Sequence, residues 1–388
     1  MVEIIIGYGV LAQVVAYLRN RTYWMDENSL AAVIKHTSWR GLFGPLSEAQ
    51  LAPVGFLVIE HAASQIQGGD RLGLRLLPLL GGLTSLFLFR KVSSRFLTPR
   101  AALIALAMFA TSDDVIYFAS ELKPYSTDLT IALLCTLAGQ HAAAGRRSVR
   151  SLAWLALTPW FSFPAVFVLA GVGVVLIASA IAKRERCRIL ELVGIGAIWL
   201  VSIAAVQSVA HRQLQNARSM FEFWDFAFPG HAGGLSSITW ALRRFAFLFA
   251  NPLDFSIPGL SAKGPALIVL ALFLVGCGVS ASRDRRGLGL LSAPLVFAMF
   301  AGYLRLYPFH GRLVLFLVPS LLILIAEGAE TVVSTVGGNA VKAVLIGFLV
   351  VIPAVSAGFY VVEPNRPRDF HAQGDRRPAK LVAEGFPF

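Results

Sequence analysis

The sequence predicts an all-α membrane protein, a polytopic helical bundle with about eleven transmembrane helices. Hydrophobic residues make up 56% of the chain and charged residues 14%, and the mean hydropathy is +0.68, which together exclude an ordinary soluble domain. Apolar stretches close to the roughly 20 residues that cross a hydrocarbon core recur along the chain. A membrane β-barrel would show short alternating segments instead, so we expect the spans to be helices.

The apolar runs divide the chain into eleven predicted spans and a polar tail. The predicted spans are Val2 to Leu18, Gly73 to Phe89, Ala101 to Phe118, Ser126 to Ala144, Ser151 to Phe161, Pro164 to Ala182, Ile189 to Ala210, Gly264 to Ala281, Gly287 to Leu304, Leu313 to Glu327 and Val341 to Val361. The fifth is short enough to be a half-helix. Residues 1–361 therefore form one transmembrane module, and the polar tail 362–388 is expected to be poorly ordered.

Short basic loops orient the spans. Arginine and lysine concentrate in four loops that all fall on one side of the alternating spans: Arg90 to Arg100, Arg146 to Arg150, Lys183 to Arg188 and Arg283 to Arg286. Such loops are typically cytoplasmic. The net charge of +12 is mostly this orientation signal and does not indicate nucleic-acid binding.

The opposite, outer side receives the long segments of the chain. These are an outer loop at 19–72, a second at 211–263, and two turns at 120–125 and 305–312. In the first loop, Glu27 to His36 and Leu51 to Ile59 are too short to cross, and we predict that both lie at the interface as helices. Ser47 and Gln50 match a capping box at the start of the second.

Asp26 and Glu27 follow soon after the first span. A carboxylate at the membrane surface is where a general base for an acceptor hydroxyl would lie. Because neighbouring helical side chains diverge by about 100°, the two carboxylates cannot easily share one metal or one substrate atom. We assign Asp26 as the base and Glu27 as its supporting acid. The alternative is an interfacial helix that Asp26 caps and Glu27 stabilises through the helix dipole.

Glu121 and Lys123 lie two residues apart at the outer end of the third span. Lys123, with Tyr125 beside it, can bind a phosphate, and Glu121 can orient the lysine or reach an acceptor or a metal. A snorkelling lysine paired with a glutamate is the alternative. Asp114 lies two turns deeper, on the same predicted helical face as Glu121, and should face the protein interior because a lipid-facing carboxylate is costly.

Arg312 and His310 precede the tenth span. The guanidinium fork can bind a phosphate with His310 as an additional donor, although an interfacial anchor is an equal alternative. The 211–263 loop adds possible substrate contacts at Trp224, Arg243 and Arg244. Walker, dinucleotide and nucleophile-elbow motifs are absent from the sequence, which disfavours a nucleotide-driven pump or a triad hydrolase.

The order of these motifs resembles a known family. Asp26-Glu27, Gln50-Leu51-Ala52-Pro53, Leu74 to Pro78, Tyr117 to Ser126 and Gly311-Arg312-Leu313 look like the C-type (GT-C fold) integral-membrane glycosyltransferases. The bacterial branch related to protein O-mannosyltransferases and to the lipid A aminoarabinose transferase is the most similar.

The resemblance implies an inverting sugar transfer from a polyprenyl-phosphate donor to a lipid, glycan or protein acceptor. The reaction would take place at the periplasmic face of a bacterial inner membrane. By the family pattern Asp26 is the base, and Lys123 and Arg312 hold the donor phosphate. Family members differ in their need for a divalent metal ion, so no cofactor is assigned. The alternatives are a transporter or flippase of lipid-linked sugars and a polysaccharide polymerase or ligase of another fold.

Overall fold

The computed structural model describes residues 1–47, 50–67, 69–145, 148–216, 222–230, 235–253, 255 and 263–362. Within these ranges the ordered elements are helices, and no strand occurs. The predicted tail 362–388 lies outside the described residues apart from Val362. The α-helices are α1 Val2–Leu18, α2 Met25–His36, α3 Val54–Gln67, α4 Arg71–Leu74, α5 Leu76–Phe96, α6 Pro99–Thr111, α7 Asp113–Phe118, α8 Tyr125–Ala143, α9 Ala165–Ala182, α10 Arg186–Gln213, α11 Leu235–Phe247, α12 Lys263–Arg283, α13 Arg285–Tyr303, α14 Val318–Val336, α15 Asn339–Ile346 and α16 Ile352–Val362.

Seven helical stretches of the described chain are long and apolar enough to cross a membrane. They are Arg71–Phe96, Ala165–Ala182, Arg186–Gln213, Gly264–Arg283, Arg285–Tyr303, Gly311–Val336 and Asn339–Gly358. The sequence predicts about eleven spans. At the other four predicted positions lie helical segments that are shorter or more polar, namely α1, α6 with α7, α8, and a 3-10 segment at Val149–Trp160. The protein is thus a helical membrane protein with seven candidate spans by length and composition.

Several helices differ in detail from the predicted runs. The third predicted span breaks at Ser112, whose extended backbone ends α6 and begins α7. The fifth predicted span is a 3-10 segment that contains Pro159 and packs against α10. The indole N–H of Trp199, on α10, donates a hydrogen bond to the Leu152 carbonyl oxygen at 3.0 Å. The predicted capping box at Ser47 and Gln50 is wrong, because α3 begins only at Val54, after Pro53. Proline at a helix start loses no internal hydrogen bond.

A pair of glycines joins α12 to α14. A Cβ atom on Gly276 would lie 1.8 Å from the Leu324 carbonyl oxygen, and one on Gly328 would lie 1.9 Å from the Leu272 carbonyl oxygen. No side chain fits at either position, so the two backbones touch directly. Small residues allow this close approach between membrane helices, and it fixes the position of α14, which follows the 305–317 segment.

A separate small core lies over one end of the bundle. Leu30 and Ile34 of α2 pack with Phe56 and Leu57 of α3, and the same cluster contains Leu122. We call this cluster the roof. The roof is apolar although α2 and α3 are too short to span, and the apolar residues of α2 face this core; that the two helices lie at the membrane interface stays a prediction. Because Leu122 is buried in it, the residues on either side, Glu121 and Lys123, are held at a fixed place beneath α2.

Candidate functional site

Asp26, Lys123 and Arg312 meet at one point beneath the roof. We call these three residues the Asp26 cluster. Arg312 Nη2 donates to Asp26 Oδ2 at 2.5 Å, and Lys123 Nζ lies 3.9 Å from the same oxygen. The first contact joins residues 286 positions apart in the chain. The Asp26 side chain remains 34% exposed, so a solute can reach it. Three remote segments therefore bring a carboxylate and two cations together at an accessible position.

The two cations dominate the electrostatics of Asp26. Burial alone would raise the pKa of Asp26, but the charges of Arg312 and then Lys123 outweigh it and lower the pKa to about 2. Burial lowers the pKa of Lys123, and the Asp26 carboxylate opposes that shift. Asp26 is hence an anion at neutral pH and a weak base for as long as Arg312 contacts it. An anion that took over Arg312 would relieve this effect.

Glu27 has different partners from Asp26, as the divergence of adjacent helical side chains requires. Its carboxylate is completely buried. One oxygen accepts from the Leu122 backbone N–H at 2.8 Å and from Arg75 Nε at 3.0 Å. The other accepts from Arg21 Nη1 at 2.6 Å and from the Trp24 backbone N–H at 3.1 Å. We call Glu27 with Arg21, Arg75 and Leu122 the Glu27 anchor. It ties the start of α2 to the turn that carries Lys123.

Glu121 lies behind the Asp26 cluster. Its Oε2 is 3.8 Å from Arg21 Nη2, and its Oε1 has no hydrogen-bond partner within the described chain. Burial raises the pKa of Glu121, and the negative charge of Glu27 raises it further. The charges of Arg312, Arg21 and Lys123 oppose this shift. Glu121 is therefore a buried carboxyl group surrounded by these three cations.

Other polar and aromatic side chains orient the two cations. Lys123 Nζ donates to Gln50 Oε1 at 3.0 Å. The Arg312 guanidinium carbon lies 5.8 Å from the centre of the Tyr125 ring, near the outer limit of a cation–π contact. Tyr125, predicted to bind phosphate, thus forms part of the wall beside Arg312, and Gln50 limits where the Lys123 ammonium group can move.

A second group of rings lies beside Arg312. We call Trp224, Phe226, Phe247 and His310 the aromatic cluster. The His310 ring stacks on Phe247 at 4.9 Å between centroids and contacts Phe226 edge to face at 5.1 Å. Burial lowers the pKa of His310 to about 3, and the charges of Arg244 and Arg312 add to this. His310 is therefore neutral at physiological pH, and the predicted role of an additional hydrogen-bond donor to a phosphate would fall to the neutral imidazole.

The remaining predicted substrate contacts are less closely grouped. Arg244 donates to the Phe226 carbonyl oxygen, so it belongs beside the aromatic cluster. Arg243 is exposed on α11. Asp114 is half-buried on the first turn of α7, and that helix ends at Phe118. The shared helical face predicted for Asp114 and Glu121 does not exist, because the chain is non-helical between them.

The described residues include no group of three or more histidine, cysteine, aspartate or glutamate side chains arranged to hold a metal ion. Asp26 and Glu121 contact cationic side chains instead, and the Glu27 oxygens are filled by N–H donors. These residues do not fit a metal site in this arrangement, and no step below uses a metal.

The sequence pattern assigned no site role to Arg21 or Arg75 and read Gln50 as part of a capping box, yet all three contact residues of the site. Arg75 is 1% exposed, and its Nη1 donates to the Arg21 carbonyl at 2.7 Å. One signal was available, since Arg75 lies inside the predicted second span, where an arginine needs an acidic partner. The distance along the sequence between Arg75 and Glu27 gives no sign that Glu27 is that partner.

A scan of protein-family models gives no match to this chain, and a comparison with curated proteins gives none either.

Proposed function

We propose that the protein is an integral-membrane glycosyltransferase. It moves a sugar from a polyprenyl-phosphate donor to the hydroxyl group of a lipid, glycan or protein acceptor. The observation that carries the proposal is the contact of Asp26 with Arg312, with Lys123 at 3.9 Å. Sugar transfer from a lipid phosphate needs a proton acceptor and an anion holder on either side of one carbon atom. The Asp26 cluster provides both at an exposed position.

The reaction follows from these charges. The acceptor oxygen attacks the anomeric carbon while Asp26 takes the hydroxyl proton. The bond from that carbon to the phosphate oxygen breaks on the opposite face, so the configuration is inverted. The departing lipid phosphate takes the bonding electrons, and Arg312 and Lys123 stabilise its added negative charge. Asp26 then releases the proton to water.

Binding of the donor must first open the Asp26 cluster. The donor phosphate is an anion, and it competes with Asp26 for Arg312. Once the phosphate neutralises that guanidinium, the influence that holds the Asp26 pKa at about 2 is reduced, and the carboxylate becomes a stronger base. The closed pair therefore keeps the base weak until a donor is present.

Glu27 takes a positioning role in this proposal. All of its contacts described above are with protein groups, and it is completely buried, so it does not reach a substrate. It sets the direction of Asp26 on α2 and, through the Leu122 N–H, the position of Lys123. Glu121 is a buried carboxyl group behind the two cations.

The same proposal includes a GT-C-like bundle of eleven spans in a bacterial inner membrane. Helical segments at all eleven predicted positions support this number. If each of them crosses, the basic loops share one side, and the Asp26 cluster lies on the other, periplasmic side. The roof and the Glu27 anchor would then cover a groove open to the donor lipid.

The test measures the transfer of labelled sugar by purified protein from each of a panel of polyprenyl-phosphate sugars. Asp26→Asn keeps the shape of the side chain and removes the base, so we expect transfer to fall by at least about 10²-fold. The donor should still bind, because Arg312 is freed. Asp225→Asn is the matched control, because Asp225, in the 211–263 loop, also pairs with an arginine, Arg305. Wild-type turnover by Asp26→Asn, or equal losses in both variants, would remove Asp26 from the mechanism.

A further inference from the structure

A groove lies at the end of α9 that is distant from the Asp26 cluster. Phe167, near the start of α9, contacts Tyr307 at 5.1 Å between ring centroids, and α9 then runs to Ala182. With a rise of 1.5 Å per residue, its two ends are about 25 Å apart. The groove has a volume of about 380 Å³ and is lined by Val175, Ala178, Ser179, Ala182, Lys183 and Arg286. We call it the α9 groove.

The walls of the α9 groove are apolar and its mouth is cationic. Val175, Ser179 and Lys183 are spaced by four residues and so lie on one face of the helix. Ala178 and Ala182 are exposed beside them, so the apolar wall opens outward. Lys183 is the first residue after the candidate span Ala165–Ala182, and Arg286 is the second residue of the span Arg285–Tyr303. The two cations therefore lie at the level where the apolar spans end.

The cations of the α9 groove are available to a ligand. Lys183 Nζ is 3.9 Å from Glu185 Oε1, and both groups are substantially exposed, so this contact is weak. Arg286 has no ion pair with any residue that the structure describes. The backbone N–H of Arg286 donates to the Asp284 side chain. An anion would therefore bind the Arg286 guanidinium group and not this backbone N–H.

We propose that the α9 groove binds one anionic phospholipid of the surrounding bilayer. Its phosphate contacts Lys183 and Arg286, and part of an acyl chain lies on Val175, Ala178 and Ala182. Basic pockets at the ends of membrane helices recognise such head groups. The apolar wall below the cations favours a lipid over free phosphate, because a free anion gains nothing from that wall. The site is separate from the Asp26 cluster and does not depend on the proposed transfer reaction.

The test is lipid selectivity of the purified full chain in nanodiscs. Spin-labelled phosphatidylglycerol and spin-labelled phosphatidylcholine are compared by the motionally restricted fraction of each label. We expect wild-type protein to prefer phosphatidylglycerol, and Lys183→Gln with Arg286→Gln to reduce that preference by about 30-fold, because each of the two cations near the head group contributes about 1 kcal/mol. Arg186→Gln with Arg285→Gln is the matched control, because these exposed cations lie at the same end but do not line the groove. Equal losses in both pairs, or no loss in the first, would overturn the proposal.

A second pair of variants tests the apolar wall. Ala178→Trp fills the α9 groove, while Val174→Trp places the same ring on an exposed position that does not line it. We expect Ala178→Trp alone to lower phosphatidylglycerol retention with both cations intact. Unchanged retention in Ala178→Trp, or displacement of the lipid by excess inorganic phosphate, would show that the groove does not hold an acyl chain.

Discussion

Replacing Glu27 with glutamine tests the role of the Glu27 anchor. The glutamate is completely buried, and Arg75 and Arg21 are 1% and 6% exposed. The amide keeps one acceptor oxygen, which can still serve Leu122 and Arg75. Its NH₂ group replaces the oxygen that accepts from Arg21 Nη1 and from the Trp24 N–H, so donors face donors. Two buried guanidinium groups, those of Arg75 and Arg21, also lose the negative charge of Glu27.

The magnitude follows from burial. Removing one partner of a buried ion pair costs about 3–5 kcal/mol, which changes the unfolding equilibrium by more than about 100-fold. We expect this loss for Glu27→Gln in thermal and denaturant unfolding of purified protein in detergent, followed by circular dichroism. Glu191→Gln is the matched control, since Glu191 also accepts from an arginine, Arg150, but that arginine is 79% exposed. Exposed pairs contribute about 1 kcal/mol or less.

The reasoning is wrong if Glu27→Gln unfolds within about 1 kcal/mol of wild type, or no more easily than Glu191→Gln. A double-mutant cycle with Arg75→Met separates the pair from the single losses. If the anchor acts as described, the double variant loses less stability than the two single variants lose together, because it buries no unpaired charge at the contact between residues 27 and 75.

Three further predictions concern pH and packing. Burial raises the pKa of Glu60 from 4.5 to about 9, so the protonated side chain contributes fully to stability below pH 4.5, and this contribution is lost as the pH rises toward 9. Glu60→Gln should therefore be more stable than wild type by about 3 kcal/mol at pH 7. Parallel curves of unfolding free energy against pH for the two proteins would contradict this. The pKa of His310 is lowered from 6.5 to about 3, so wild-type protein should lose stability as pH falls from 6.5 toward 3, and His310→Phe should lack that part of the acid sensitivity in a thermal melt. Gly276→Val places a Cβ atom 1.8 Å from the Leu324 carbonyl oxygen and should lower the free energy of unfolding by about 3 kcal/mol or more. Gly278→Val, whose Cβ atom meets open space, should lower it far less. Equal melting temperatures for the two variants would disprove the clash.

Hydropathy predicts the positions of the helices well, because any long apolar segment must satisfy its own backbone in lipid. It predicts their ends less well. Arg90, Lys91 and Arg95 were assigned to a loop, but α5 continues through them to Phe96, since long basic side chains are good helix formers. The break at Ser112 was not predicted, and it is the end of α7 at Phe118 that separates Asp114 from Glu121.

The candidate site is partly predictable for a related reason. Asp26, Lys123 and Arg312 stand out because charged residues are rare between apolar segments, and topology places them at one end of the bundle. Which cation each acid contacts depends on tertiary packing. Glu27 and Asp26 are adjacent and chemically alike, but one is fully buried against Arg75 and the other is 34% exposed against Arg312. His310 was predicted to be an additional donor to a phosphate, and the burial that lowers its pKa comes from the aromatic packing around it, which the sequence does not reveal.

The contact between Asp26 and Arg312, 286 positions apart, has a consequence for synthesis. The Glu27 anchor and the roof draw mainly on the first third of the chain, so they can assemble soon after those residues leave the ribosome. Arg312 emerges much later, and until then the nascent protein carries Asp26 without its strongest cationic neighbour. Polypeptides that terminate before Arg312 would contain the residues of the Glu27 anchor but would lack the contact that contributes most to lowering the pKa of Asp26.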